Sequence, residues 1–420
     1  MFRISLPIRI LGQLGYKYLD ILKRMFPHLH QRKFTRIDDF YELIVCCRTY
    51  QKILANSSLK LLLCRRLIGF GNFHSRKEHN FFMTMINRIY RDLNPLPNSG
   101  SLVPRLITSR SYTSVNSMKF HEIYPIMAVA SSSCFIWQIK SDNTFEFVSS
   151  LQNLPTCAFV IAVAFHRKFP ILAASLNDGT VLLVEFNIDG TNPKIFHTIS
   201  IQKGTIWSIV FHPILPIVYV SNDYGYLMVL QFTPDFRRLL QETLLRLHGY
   251  TINGIAIQRQ GRFLATCSDD YTVKISSFDK ADCTKLKTEA TFSTYRKILC
   301  IDIHPTLDLV ATGSDDQYAK IWQIGEDFET TFVKHFYHPN GVRCVQFDPF
   351  NLTLITGCYD GCVRIWNFEG IQIHKFRKPT SSYSSVLSIG FSPNRPRILA
   401  IGDINEVTIS ELEESKDSKN

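Results

Sequence analysis

The chain has 420 residues, 45% hydrophobic and 20% charged, a composition that excludes a disordered chain and suffices for two or three domains. Charge is unevenly divided: residues 1–110 carry 19 Lys and Arg against 6 Asp and Glu, a net of +13, and the remainder is slightly acidic. No apolar run approaches the roughly 18 residues needed to cross a bilayer, and the eleven cysteines show no Cys-x-x-Cys or paired Cys/His spacing, so reduced thiols in an intracellular protein, cytoplasmic or nuclear, are expected and zinc is not.

In chain order, "SLPIRILGQLGYKYLDILKRMF" comes first, with Ser5 at a helix-cap position and Pro7 in the first turn. Leu6, Ile10, Leu14 and Ile21 fall on one face, and Arg9, Gln13 and Lys17 interrupt any continuous apolar core of a signal peptide. A second helix is expected after Asp38-Asp39, an acidic pair suited to a helix N-terminus, with Leu43, Cys47, Tyr50 and Leu54 recurring at three to four residues. Residues 68–101 read as a linking helix, within "EHNFFMTMINRIYRDL", and the linker "NPLPNSG".

Residues 1–67 resemble the F-box, a helical module that begins Leu-Pro and carries a Cys-x-x-Trp helix. Leu6-Pro7, Ile10 and Leu11 match the first element, and Cys47, Tyr50, Ile53 and Leu59 the second; with Leu14 and Leu43 these are the residues expected to bind an adaptor. Arg9 stands where an acidic residue is usual, Tyr50 replaces Trp, and an insertion, "FPHLHQRKFTRI", separates the two halves.

From residue 102 the grammar changes to a repeat. Units beginning at Val160, Ile206, Ile252, Ile298, Val342 and Val386 follow one another, and an earlier unit begins at Ser114. Each reads as a strand, a turn, an apolar strand, a tight Asp turn and a β-branched strand, followed by a variable fourth segment. Seven such sheets packed radially bury faces that none buries alone. Residues 102–412 resemble the WD-repeat family, with a stretch at about 102–110 closing the seventh blade and a frayed tail over 413–420. An all-β seven-bladed β-propeller preceded by a small all-α module is therefore expected.

The resemblance implies a structural His, Ser/Thr, Asp and Trp set in each blade. Unit six carries His338, Thr356, Asp360 and Trp366. Unit five carries Thr312, Asp316 and Trp322, with Thr294 in place of His; unit four carries His248, Thr266 and Asp270, with Ser276 in place of Trp. Asp178 and Asp223 are read as turn residues of units two and three. A hydrogen-bonded chain from indole through hydroxyl and imidazole to carboxylate is expected where the set is complete.

His212-Pro213 and His304-Pro305 fall at equivalent turns and read as turn-shaping; Cys358 and Cys362 flank a hairpin turn. No phosphate loop, nucleophile elbow or zinc helix appears, so no enzyme, cofactor, metal or small-molecule substrate is expected. An F-box ahead of a propeller implies a substrate receptor of a ubiquitin ligase, its helices binding a Skp-type adaptor and cullin scaffold. The rim expected to hold the target comprises Asn177, Trp207, Asn222, Asn253, Asp269, Asp315, Arg343 and Tyr359. The alternative is a propeller scaffold whose basic N-terminal arm binds nucleic acid or an anionic membrane.

Overall fold

The computed structural model describes residues 102–414 except 113, 153, 156, 202–203, 280–283, 349–352, 378–384 and 394–397; for 102–109, 111, 413 and 414 it describes the backbone only. The F-box-like positions Leu6 to Leu59, the segment 68–101 and the tail from residue 415 lie outside the described residues.

Residues 102–414 form a seven-bladed, all-β propeller of seven four-stranded antiparallel sheets. Blade one runs Ser117–Phe120, Ile126–Ala130, Cys134–Ile139 and Phe145–Ser150, and the next five blades repeat this meander in chain order. The second strand of a blade is buried along its whole length, as in Phe263–Ser268 or Thr353–Cys358. Sheets cover it on both sides, so it reads as a continuous run of apolar and small residues instead of an alternation. Fourth strands, such as Thr330–Tyr337, are largely solvated.

The hydrophobic clusters span pairs of blades. Val163 and Leu172 of blade two pack with Ile126 and Ala128 of blade one, and Ile398 and Val407 of blade seven with Met127 and Trp137 of blade one. Side-chain oxygens add cross-blade ties: Ser208 accepts from Ile255 N, Asp302 from Phe347 N, Gln346 from Phe391 N and Ser388 from Met118 N, at 2.8–3.1 Å. Burial pushes the Asp302 carboxyl up to about 6.

Blade seven is completed by the start of the described chain. Leu102–Ser111 pairs antiparallel with Glu406–Glu414, from Leu102↔Glu414 to Ser111↔Glu406, with one bulge between Leu106 and Thr108. The strand ending at Glu414 takes in the first two residues of the expected frayed tail. Arg110, on the closing strand, reaches into blade one, its guanidinium 4.2 Å from the Phe147 ring centre and within 6 Å of those of Phe135 and Trp137. This cation–π contact joins the ring's two ends.

Candidate interaction face

The loops joining fourth to first strands and the turns joining second to third strands lie on one face of the ring. In blades two to six the start of the first strand carries a bulge, with the ladder shifting between Val160 and Ala162, Ile206 and Ser208, Ile252 and Gly254, Ile298 and Cys300, and Val342 and Cys344. A bulge re-aims the extra side chain, and here the extra residues are Ile161, Trp207, Asn253, Leu299 and Arg343. Asn253 Nδ2 donates to Ile298 O (2.9 Å) and to Asp269 (2.7 Å), and Arg343 donates to Leu299 O (3.2 Å). Asn253 and Arg343 thus tie neighbouring first strands together; Trp207 is exposed.

The turn row beside the bulges is set by register. Ile217↔Gln231 in blade three and Phe263↔Ser277 in blade four make Asp223 the counterpart of Asp269 and Tyr224 that of Asp270. The rim row is therefore Asn177, Asp223, Asp269, Asp315 and Tyr359. This corrects the sequence reading at two positions: Asn222 is buried and not a rim residue, and Asp223 is not the turn Asp of blade three. Asn222 Oδ1 accepts from Tyr224 N (3.1 Å) and Tyr226 N (2.9 Å), doing locally what a turn carboxylate does in blade four. Asn177 accepts from Phe159 N, and Asp269 from Lys297 Nζ at 2.6 Å. Tyr359 and the Asp315 carboxylate both lie against Gly341.

The four-residue structural sets differ from expectation in one link. In blade four His248 bridges Thr266 (2.8 Å) and Asp270 (2.9 Å), and Asp270 also accepts from Gly249 N and Thr272. Burial works against the Asp270 charge, but these hydrogen bonds outweigh it and hold the carboxyl well below its usual range. Ser276, at the Trp position, is fully buried and its hydroxyl has no partner among the described residues.

Blade six shows the converse. Trp366 Nε1 donates to Thr356 Oγ1 (3.0 Å), which meets His338 Nε2 at 2.8 Å. The other ring nitrogen, Nδ1, lies 3.0 Å from Phe336 O, not on Asp360. Asp360 instead takes both guanidinium nitrogens of Arg364, four residues on across the hairpin. A bidentate charge-assisted pair outcompetes a neutral imidazole. Although burial opposes its charge, Asp360 is held down to about 2, chiefly by Arg364; burial, then the Arg364 charge, lowers His338 to about 4.

Lys320 takes Asp316 in blade five (2.5 Å), where Trp322 reaches Thr312 at 3.3 Å. In blade four the equivalent Lys274 donates to Leu247 O, which leaves Asp270 to His248. The three cations were readable in advance as an Asp-x-x-x-Lys/Arg spacing in "DDYTVK", "DDQYAK" and "YDGCVR".

On the opposite face His121, His166, His212 and His304 each accept, at Nδ1, backbone N–H groups two and three residues on, at 3.0–3.2 Å. These histidines shape turns. Burial pushes the thiols of Cys134 and Cys300 up to about 12, so they pack and do not attack. Cys358 donates to Asn340 O and Cys362 accepts from Arg377. Among the described residues no group of three or more His, Cys, Asp or Glu is placed to hold a metal ion.

The comparisons match this geometry. The family described as "WD domain, G-beta repeat" matches at residues 240–275, 286–323 and 330–367. The chain carries WD repeats. Each match begins on or beside the fourth strand of one blade and runs into the next blade's first three, so the WD-repeat units overlap the blade boundaries.

The chain is similar to "Eukaryotic translation initiation factor 3 subunit I" of Taeniopygia guttata, 24% identical over 259 residues, 57% of this chain and 75% of that protein. It is 32% identical over 87 residues to "Periodic tryptophan protein 2" of Arabidopsis thaliana, spanning 20% of this chain and only 9% of that protein. To "Periodic tryptophan protein 2 homolog" of Dictyostelium discoideum it is 23% identical over 306 residues, 63% of this chain and 31% of that protein. The three matched repeats lie outside residues 1–67, so they add nothing to the F-box resemblance.

Proposed function

We propose that the protein is a non-enzymatic, intracellular scaffold subunit of a multiprotein assembly acting in translation. The observation that carries this reading is the similarity across 75% of a named translation-factor subunit, on a propeller whose buried histidines are committed to turns and to hydrogen bonds within the blades. Its partners on this reading are proteins held by the propeller face and nucleic acid met by the basic first 110 residues, whose +13 charge suits phosphate neutralisation. The ubiquitin-ligase receptor reading, with Skp-type adaptor and cullin, rests on the F-box resemblance alone.

Affinity purification of the full chain from its host tests the choice. The scaffold reading expects translation-factor subunits to co-purify, and single-stranded RNA binding to weaken steeply with salt, with a log–log slope of about −0.7 per phosphate neutralised. Recovery of a Skp-type adaptor and cullin without those subunits refutes it, and preferential capture by anionic vesicles refutes the nucleic-acid assignment.

A further inference from the structure

On the propeller face, the loops of blades three, four and five form one continuous belt. Asp223 N donates to Thr205 O, Asp269 N to Thr251 O and Asp315 N to Lys297 O, at 2.9–3.2 Å. Thr251 Oγ1 donates to Asp223 O at 3.1 Å, and Thr294 N to Tyr271 O at 2.9 Å. Five large aromatics stand exposed on this belt: Trp207, Tyr224, Tyr250, Tyr271 and Tyr295, from 37% exposed at Trp207 to 91% at Tyr295. Scattered exposed apolar residues are ordinary, but a group on three adjacent blades marks an interaction surface, and Trp and Tyr are its usual anchors.

Charge decides what the surface fits. Three carboxylates, Asp223, Asp269 and Asp315, recur at equivalent positions along the belt. Lys297 already satisfies Asp269. The Asp223 carboxylate lies over Gly204, where an added Cβ would sit 1.9 Å from Oδ1, and this buried oxygen has no hydrogen-bond partner among the described residues. The Asp315 side chain forms no ion pair among the described residues, though its field reaches Lys297 and Tyr359. Aromatic faces beside Asp223 and Asp315, neither in an ion pair among the described residues, attract a planar cation, by cation–π contact and by charge-assisted hydrogen bonds. An acidic peptide or a phosphate backbone would meet like charge at Asp223 and Asp315.

We propose that the belt over blades three to five docks an arginine-bearing basic segment of a protein partner; this rests on the scaffold reading and gives that partner its chemistry. The test uses the full chain and a short labelled peptide alternating Arg and Ser, read by fluorescence anisotropy. The counter-probes are the same peptide with Glu for Arg, and a single-stranded RNA. The Arg peptide binds saturably, and Asp223→Asn with Asp315→Asn weakens it about tenfold or more, as does Trp207→Ala with Tyr271→Ala. Glu122→Gln, on the opposite face, leaves the affinity unchanged, and RNA binding is indifferent to all three changes.

Unchanged Arg-peptide affinity in the Asn variant, or tighter binding of the Glu peptide, overturns the proposal; so does RNA binding that falls in the Asn or aromatic variants. The near-isosteric Asn variant, checked to melt with the wild type, keeps the test decisive if the aromatic variant fails to fold. Co-purification separates the two levels: an assembly recovered without Arg-peptide preference refutes the docking chemistry alone. An assembly never recovered refutes the scaffold reading itself.

Discussion

His212 makes a quantitative prediction about acid. Its ring is buried, and Nδ1 accepts from Ile214 N and Leu215 N at 3.0–3.1 Å. That role requires the neutral ring, and burial lowers its pKa from an ordinary 6.5 to about 4. The unfolded chain therefore binds more protons than the folded one between about pH 6.5 and 4. Stability from this group is fully present above 6.5 and drains away as pH falls toward 4. At pH 5 the loss is about 2 kcal/mol for one such histidine. His166, lowered to about 4 by burial and then by the charges of His121 and Lys168, and His338 behave alike. Together the three approach about 6 kcal/mol, a large share of a typical folding free energy of about 5–15 kcal/mol.

Blade four contains the control. Gln258 occupies the His212 position, and its Oε1 accepts from Gln260 N (2.8 Å) and Arg262 N (3.3 Å) without titrating. His212→Gln should therefore keep stability within about 1 kcal/mol of wild type at pH 8. At pH 5 it should be more stable than wild type by about 1–2 kcal/mol. Urea unfolding followed by tryptophan fluorescence at the two pH values reads both numbers. An equal acid loss in wild type and variant would show that His212 is not a buried neutral acceptor.

Trp366→Ala should destabilise by about 3–5 kcal/mol, because the indole is buried against Phe336 and His338; a shift no larger than that of a surface change would refute its place in the core. Asp360→Ala should cost about 3–5 kcal/mol by stranding the buried Arg364 charge, and adding Arg364→Met should recover part of it; no recovery would mean that the ion pair is not what holds the turn. Deleting residues 1–100 should leave a cooperatively melting propeller. Deleting residues 1–111 should abolish that cooperativity and promote association through the bared edge at Glu406–Glu414, and two truncated chains that melt alike would refute the clasp.

Much of the fold is legible because a repeat multiplies weak signals. One "FHPILPIVYVSND" proves little, but recurrence at 46- and 44-residue steps exposes strand, turn and strand at every blade. What spacing does not expose is competition among partners. Asp360 sits where a turn carboxylate belongs in both the sequence and the structure, yet spacing offers it both His338 and Arg364, and only the structure shows that Arg364 takes it. The same limit explains blade three. In "SNDYGY" either Asn222 or Asp223 satisfies a turn signal, and only the pairing of Ile217 with Gln231 shows that Asn222 caps the turn. A slip of one residue exchanges a buried amide for a half-buried carboxylate on the face, because neighbouring positions face opposite sides. That exchange moves Asp223 into line with Asp269 and Asp315, and the acidic row of the face becomes visible only when register, not residue type, assigns the turn.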